Sequence, residues 1–433
     1  MATHADVIII GTGTAALAAA SEVKKATDRF LIISNGIYGT TCVRAGCMPS
    51  KAFIHGAQAY HARKRMMEWG IGNAEKLTIN IPALLAQLRS LREHFLAFTL
   101  QATEKYRAHI IEGDTWFLSP NEIRVGKEVY HAKNIILATG SSPMLPDNCK
   151  EIADTILTTD TLFEQEDLPD TIGVLGLSVL GAEMAQAFAQ LGIRVIAQHE
   201  SELIGGLTDP EVNAYAVEHL RQAMDIKLNQ TECMRADTLF VAQSRKANLE
   251  NMGLEECGII KPGDAIMNYD AETMQVDDLP LFVAGDVKWG RSILNEAVHE
   301  GKIAGYNASH EHIKRFRRRT PLQIVHTDPV MATAGKSFSE LEPETVIIGK
   351  TTFDDQGCAK IMGKASGIVH VYADKKSRQL LGAELFAPAG EHLAHQLAWL
   401  IDRQVTVENA LELPFYHPSL EEGLRTALES LKH

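Results

Sequence analysis

No stretch of the chain is apolar for long enough to cross a bilayer, which takes about 20 consecutive apolar residues, so a membrane-spanning role is not expected. Cations are in the minority: 42 Lys and Arg against 55 Asp and Glu leave a formal net charge of −13. That balance argues against nucleic acid as the main partner. The dense basic run Lys314-Arg315-Phe316-Arg317-Arg318-Arg319 reads as a solvated helix end or linker. No signal peptide is evident, because a short polar lead runs straight into Val7-Ile8-Ile9-Ile10, a buried strand. Cytoplasmic placement is therefore expected. Cysteine is scarce: Cys42, Cys47, Cys149, Cys233, Cys257 and Cys358 are all there is. In a reducing compartment a structural disulfide framework is not expected, and two close cysteines point to a catalytic pair.

What is present suits a folded chain of two or three domains: 433 residues, 45% hydrophobic and 22% charged. Residues 7–10, the turn Gly11-Thr12-Gly13-Thr14-Ala15-Ala16, a helical stretch 17–25 and the apolar run 30–33 form a strand–turn–helix–strand unit. The same order returns with residues 171–175, the turn Gly176-Leu177-Ser178-Val179-Leu180-Gly181, the helical stretch 182–191 and the strand 195–197. A helix N-terminus presents unpaired N–H groups and positive potential, and glycine lets the backbone approach a phosphate, so such a turn can hold a pyrophosphate. A single turn of this kind is weak evidence, since it also serves to pack helix on sheet. Two in the same context suggest two dinucleotides, such as FAD and a nicotinamide cofactor. The acidic residue expected at the end of the second strand is missing from both copies. Ser34 and Asn35 stand there in the first, and His199 in the second with Glu200 beside it. NAD and NADP both stay open on that basis.

Elsewhere, residues 61–107 have helical periodicity and read as two helices broken near 78–82. Buried strands end at Ala138-Thr139-Gly140 and at Ala284-Gly285-Asp286, and a helix follows over 293–310. Beyond Thr320-Pro321, β-like runs at 345–348, 359–362 and 367–372 precede helical patterns at 390–403 and 419–431, an α+β arrangement.

Cys42 and Cys47 sit in Thr40-Thr41-Cys42-Val43-Arg44-Ala45-Gly46-Cys47-Met48-Pro49-Ser50-Lys51. On a regular helix a five-residue offset advances about 7.5 Å along the axis, beyond the usual Cα separation of a disulfide. A bond between them therefore demands a distorted segment, for which Gly46 gives room, and a strained bond is easier to reduce. Spacing alone leaves a pair of structural thiols equally open.

The stretch Gly39 to Lys51 resembles the redox signature of the class I pyridine nucleotide–disulfide oxidoreductases, the family of dihydrolipoyl dehydrogenase, glutathione reductase and mercuric reductase. The likeness continues in order through Ala138-Thr139-Gly140, the turn Gly176 to Glu183, Leu281 to Asp286 and Phe415-Tyr416-His417-Pro418-Ser419-Leu420-Glu421-Glu422. Within the family, the motifs resemble those of dihydrolipoyl dehydrogenase. The resemblance implies an α/β protein with two Rossmann-like dinucleotide-binding domains and a C-terminal α+β dimerisation domain. The FAD-binding domain would span 1–142 and 259–316, a shortened NAD(P)-binding domain 143–258, and the dimerisation domain 317–433. Cys42 would be the thiol that meets the substrate and Cys47 the charge-transfer thiol beside the flavin. Lys51 and Glu183 would pair near flavin N5. His417 would be the base, oriented by Glu422, with Pro418 opening the helix and the pair reaching the cysteines of the other subunit of a homodimer. FAD would be held by Gly11, Gly13, Ala16, Ser34, Asn35, Thr41, Lys51, Gly113, Thr139, Gly140, Ser141, Gly285, Asp286, Leu294 and Ala297, with Asp286 on the ribityl chain. NAD would be held by Gly176, Ser178, Gly181, His199 and Glu200. The implied partner is a lipoyl domain or a small dithiol or disulfide, and no metal is implied.

Departures from the family pattern fall on the nucleotide side. Ser178 replaces the middle glycine of the second turn, Ala242-Gln243-Ser244 stands where Ala-Thr-Gly is usual, and 225–236 is too short for the usual strands, as if trimmed by a strand pair. Alternatives are a reductase running toward another disulfide, and a flavoprotein with impaired nicotinamide turnover serving a binding role. A mercuric reductase fits less well, because the tail Ser430-Leu431-Lys432-His433 lacks a cysteine pair.

Overall fold

The apolar run at the start of the chain becomes β1 (Thr3–Ile10), in which Val7, Ile8 and Ile9 are fully buried. The turn leads into α1 (Thr14–Val23) and then β2 (Phe30–Ser34). The computed structural model describes residues 3–149, 155–261, 268–288 and 293–432. These fall into two compact units, the first made of 1–49, 89–144 and 245–318 and the second of 50–88, 145–244 and 319–433.

In the first unit β1 lies in parallel between β2 and the strand Glu128–Leu137, with Ile8 opposite Leu31 and Ile135. Leu281–Val283 joins the far side of Glu128–Leu137, also in parallel. Strands buried on both faces need near-continuous apolar sequence, which 7–10, 30–33, 135–137 and 281–283 have. One face is covered by α1 and the helix Leu294–Ser309. Their approach is close: a Cβ on Gly301 would stand 2.2 Å from the Ala15 carbonyl oxygen, and one on Gly305 2.6 Å from that of Ala19.

The second unit holds two sheets. A parallel sheet orders Asp225–Lys227, Arg194–Gln198, Thr171–Leu175, Leu239–Val241 and Ile156–Leu157. An antiparallel sheet orders Leu322–Val325, Val330–Gly335, Leu380–Ala387, Ile368–Asp374 and Val346–Thr352. One core runs through both, including Phe188, Phe240, Val325 and Phe386. The nucleotide and C-terminal regions thus share one compact unit, and the first unit resumes at Arg245, ahead of the expected 259. Buried Glu384 ties the two sheets of the second unit. It accepts from the Thr208 and Asp209 amides at 2.7 and 2.8 Å, the Thr208 hydroxyl at 2.5 Å and the Phe338 amide at 2.8 Å. Asp209 caps the helix Pro210–Arg221 and also accepts from His370 and Tyr372, at 2.6 and 2.9 Å.

Four expectations need correction. The first of two helices expected after residue 61 is only short turns, Arg63–Met66, Met67–Trp69 and Ala74–Lys76, because Gly70 takes a left-handed φ of 75° that stops propagation. The second, Ile81–Glu104, forms, with the Asn80 side chain accepting from the Ala83 amide. The β-like run at 359–362 lies largely in a helix, Gly357–Ile361, whose N-terminus is capped by Gln356. Pro418 does not open a helix: the next one is Glu421–Glu429, and the His417–Pro418 peptide is cis. Finally, a disulfide is present outside the expected pair. Cys149 and Cys233 are joined across 84 residues with Cα atoms 5.5 Å apart, within the usual range for such bonds. Residues 228–238, which connect Asp225–Lys227 directly to Leu239–Val241 without a helix or strand, carry Cys233 to Cys149. No spacing rule could have paired positions so distant.

Candidate active site

The cysteine segment breaks as the five-residue offset demands. Thr40 caps α2 (Thr41–Arg44), Ala45 leaves the helical region at φ −137°, and α3 (Cys47–His61) begins at the second cysteine. Gly46 is where the chain doubles back. A Cβ there would lie 3.2 Å from Cys42 Cα and 3.1 Å from the Thr41 carbonyl oxygen, so a side chain would push the two cysteine-bearing turns apart. Cys42 is half-buried and Cys47 exposed.

The expected FAD residues of the first unit cluster at the carboxyl ends of its parallel strands. Gly11, at φ +120°, passes so close to Ala138 that a Cβ would stand 2.3 Å from its carbonyl oxygen. Gly13 precedes α1 and no side chain caps the helix, so its first amides remain for a ligand. Ala16 is buried in the first turn of α1. Thr139 Oγ1 is buried and has no hydrogen-bond partner, which is costly without a ligand atom to satisfy it. Ser141 donates to Asp286 at 3.1 Å, Gly140 and Thr139 accept from Asn248, and Gly285 lies with its would-be Cβ 3.0 Å from Ala15 and 3.7 Å from Ala297. Leu294 begins its helix and is exposed. An uncapped helix start, a close glycine crossing and an orphaned buried hydroxyl together fit the pyrophosphate and polar chain of FAD.

At the end of β2, Ser34 and Asn35 turn toward their own backbone, accepting from the Gly36 and Ile37 amides. The charge missing there is supplied from the neighbouring strand. Glu112 lies in register with Ser34 and accepts from Tyr38 at 2.5 Å, and Gly113 donates to the Ser34 carbonyl at 2.8 Å. Tyr38 and Arg107 hold the Glu112 carboxyl below its ordinary range. Sequence reading missed Glu112, although its place directly before Gly113 was a usable signal. It also missed Arg245, which donates to the Ser141 hydroxyl and carbonyl at 2.8 and 2.7 Å, and Glu300, which accepts from the Gly285 amide at 3.0 Å.

In the second unit Lys51 meets Glu183 at 2.9 and 2.7 Å, and the Glu183 side chain is wholly buried. Glu183 also accepts from the His326 amide at 2.8 Å. Burial, and then the nearby Lys51 charge, push the His326 imidazole pKa down. His326 acts here through its backbone, so its residue type carried no signal.

The second glycine turn is crowded. Gly176, at φ +97°, would place a Cβ 2.6 Å from Gln243 Cα, and Gly181 would place one 1.8 Å from the Gly176 carbonyl oxygen. The three unusual residues are used. Ser178 donates to the Ala242 carbonyl at 2.6 Å, Gln243 donates to Glu200 at 2.6 Å, and His199 Nδ1 accepts from the Leu177 amide at 3.2 Å. Burial lowers the His199 pKa, which suits a neutral ring with an accepting nitrogen.

His417 and Glu422 are joined as expected, Nδ1 to Oε1 at 2.8 Å, and Glu422 also accepts from the Ser419 amide at 3.1 Å. His417 first, and then that amide, hold the Glu422 carboxyl below its ordinary range. The imidazole is 82% exposed, so Nε2 is open to a partner while Nδ1 is fixed.

Residues 5–233 match the family model described as pyridine nucleotide-disulphide oxidoreductase, and 322–428 match that of its dimerisation domain. Over 98% of its length the chain is 26% identical to a dihydrolipoyl dehydrogenase of Chlamydia pneumoniae, covering 96% of that protein. It is 27% identical to a soluble pyridine nucleotide transhydrogenase of a Marinomonas strain, again over 98% of this chain and 97% of the relative. The fold is shared with the crystal structure of LpdA from Mycobacterium tuberculosis, with a TM-score of 0.83, 20% identity and 99% of each chain covered. The two nucleotide-binding turns, the cysteine signature and the dimerisation-domain match lead to one conclusion: the chain belongs to the pyridine nucleotide-disulphide oxidoreductases, FAD-dependent enzymes that work with NAD(P).

Proposed function

We propose that the enzyme is a dihydrolipoyl dehydrogenase, oxidising a lipoyl-domain dihydrolipoamide or a similar small dithiol and passing the electrons to NAD in the cytoplasm. The observation that carries this reading is the His417–Glu422 pair, a fixed and exposed base of the kind a dithiol substrate needs. One substrate thiol gives its proton to His417 of the partner subunit. The resulting thiolate attacks Cys42, the Cys42–Cys47 bond breaks, and Cys47 leaves as a thiolate. The second substrate thiol then displaces Cys42, and the substrate departs as a cyclic disulfide. FAD, when bound, supplies the two-electron carrier between the thiol pair and NAD. Glu183, fixed by the His326 amide, holds Lys51 at one place, and Gly46 keeps the two cysteine-bearing turns close enough to exchange. Glu200, anchored by Gln243, gives the second turn an acidic acceptor suited to the ribose hydroxyl of NAD and repellent to a 2′-phosphate.

Steady-state rates with dihydrolipoamide and NAD should exceed those with glutathione disulfide and NADPH. The reverse order would make the enzyme a reductase of another disulfide. A second reading is favoured by the crowded second turn: a flavoprotein with impaired nicotinamide turnover. Rapid bleaching of the flavin by NADH would remove it, and an unchanged yellow spectrum with both NADH and NADPH would support it.

A further inference from the structure

We propose that Cys149 and Cys233 form a second, redox-active pair that sets how tightly the second glycine turn holds a dinucleotide. The inference rests on reading that turn as the nicotinamide-nucleotide site. Neither cysteine belongs to the substrate site, and in a reducing compartment a bond outside it is more often transient or redox-sensing than architectural. Cys149 is fully buried against Leu175, Leu239 and Val241, two of them on the strand that leads to Ala242 and Gln243. Cys233 is half-buried, so a reductant meets it first.

What the bond holds in place matters more than the bond. Residues 228–238 have no helix or strand of their own; Met234 and Ala236 pack against Gly173, Asn229 donates to Glu202 at 3.1 Å, and further ties run toward the glycine turn. Asn148 donates to the Thr231 carbonyl at 3.1 Å. The Gln198 side-chain Nε2 donates to the Gln230 carbonyl at 3.4 Å and to that of Glu232. The Gln230 amide donates to the His199 carbonyl at 2.9 Å. His199 in turn accepts from Leu177 inside the glycine turn, and Glu200 follows it. The disulfide therefore fixes the far end of a short chain of contacts that ends at the dinucleotide turn and its acidic acceptor.

The chemistry balances with a dithiol, the substrate class already assigned to the enzyme. A dithiol thiolate attacks Cys233 Sγ, the Cys149–Cys233 bond breaks, and Cys149 leaves and takes a proton. The second thiol of the reagent then displaces Cys233, which is also protonated, and the reagent becomes a cyclic disulfide. Two electrons and two protons pass to the protein. The dithiol pool that the first pair consumes would thus adjust the second.

The test uses the holoenzyme and ADP-ribose, which carries the adenosine ribose and pyrophosphate but cannot be reduced. Its affinity is measured calorimetrically before and after dithiothreitol, with thiols counted by alkylation and mass spectrometry. Reduction of Cys149–Cys233 should weaken binding by about fivefold or more, reversibly on reoxidation. The double variant Cys149→Ser/Cys233→Ser should bind at the weaker level and ignore dithiothreitol. Cys233→Ser alone, which alters only the half-exposed member, serves if the double variant does not fold. Equal affinity in both redox states, or a variant that still responds to dithiothreitol, overturns the proposal. Absence of ADP-ribose binding in both states overturns the nucleotide reading beneath it as well.

Discussion

The two glycine turns began from one pattern, and both open helices that no side chain caps, yet the polar side chains around them are used differently. At the first, Thr139 keeps a buried hydroxyl unsatisfied, so the protein presents unmet hydrogen-bonding capacity. At the second, Ser178, His199 and Gln243 are hydrogen-bonded to Ala242, Leu177 and Glu200, while the neighbouring Ser244 hydroxyl is left buried without a partner. A ligand gains most where polar groups are otherwise unpaired. The contrast teaches that a fingerprint read from sequence locates a turn, whereas the partners of its polar atoms decide how strongly it needs a ligand.

The largest expected effect would break the contrast at its base. Gly11→Val puts a branched side chain at φ +120° against the Ala138 carbonyl and should give protein without flavin, seen as loss of visible absorbance. Gly176→Val should stay yellow and lose only reduction by NADH. If both variants kept or lost flavin together, the two turns would not have separate roles. Next in size is Lys51→Met. It strands the buried Glu183 carboxylate and should cost about 3 kcal/mol, because removing one partner of a buried pair leaves an uncompensated charge. Urea denaturation reads this directly, and a cost below about 1 kcal/mol would mean that water reaches Glu183.

Ser178→Gly combined with Gln243→Thr moves two of the unusual positions to the family residues and unties the second turn. KM for NADH should fall by about tenfold, the equivalent of one ordinary hydrogen bond no longer competing. An unchanged KM would show that the internal network does not compete with nucleotide. The smallest effect concerns acid. Burial acts to raise the Asp209 pKa, but the His370 hydrogen bond and charge, and then the Tyr372 hydrogen bond, outweigh it and lower the pKa to about 2. A depressed carboxyl contributes stability above its unfolded pKa and loses it as pH falls through the folded value. The second unit should therefore weaken between about pH 4 and pH 2, and Asp209→Asn should flatten that part of the stability curve.

Local chemistry was legible in the sequence, and chemistry assembled from distant segments was not. The first turn, the cysteine break at Gly46 and the His417–Glu422 pair each depend on residues within a few positions of one another, so spacing constrains their geometry. Arg245 on Ser141 and the His326 amide on Glu183 come from far along the chain and nothing local marks them, whereas Glu112 beside Ser34 had only its place before Gly113 to mark it. Cys149 and Cys233 went unpaired because their meeting depends on the direct run from residue 228 to 238. The run at 359–362 was misread because Ala359 and Ile361 alternate like a strand, whereas the Gln356 cap starts a helix.

Glu384 carries a consequence for how the protein comes apart. One carboxylate accepts from the segment that starts the Pro210–Arg221 helix and from Phe338 beside the antiparallel sheet. If either neighbour melted, a buried anion would lose its donors, so each sheet is penalised for the other's unfolding. The nucleotide region and the dimerisation region should therefore melt as a single cooperative block, and whatever loosens subunit pairing should be felt at the dinucleotide turn as lowered resistance to heat.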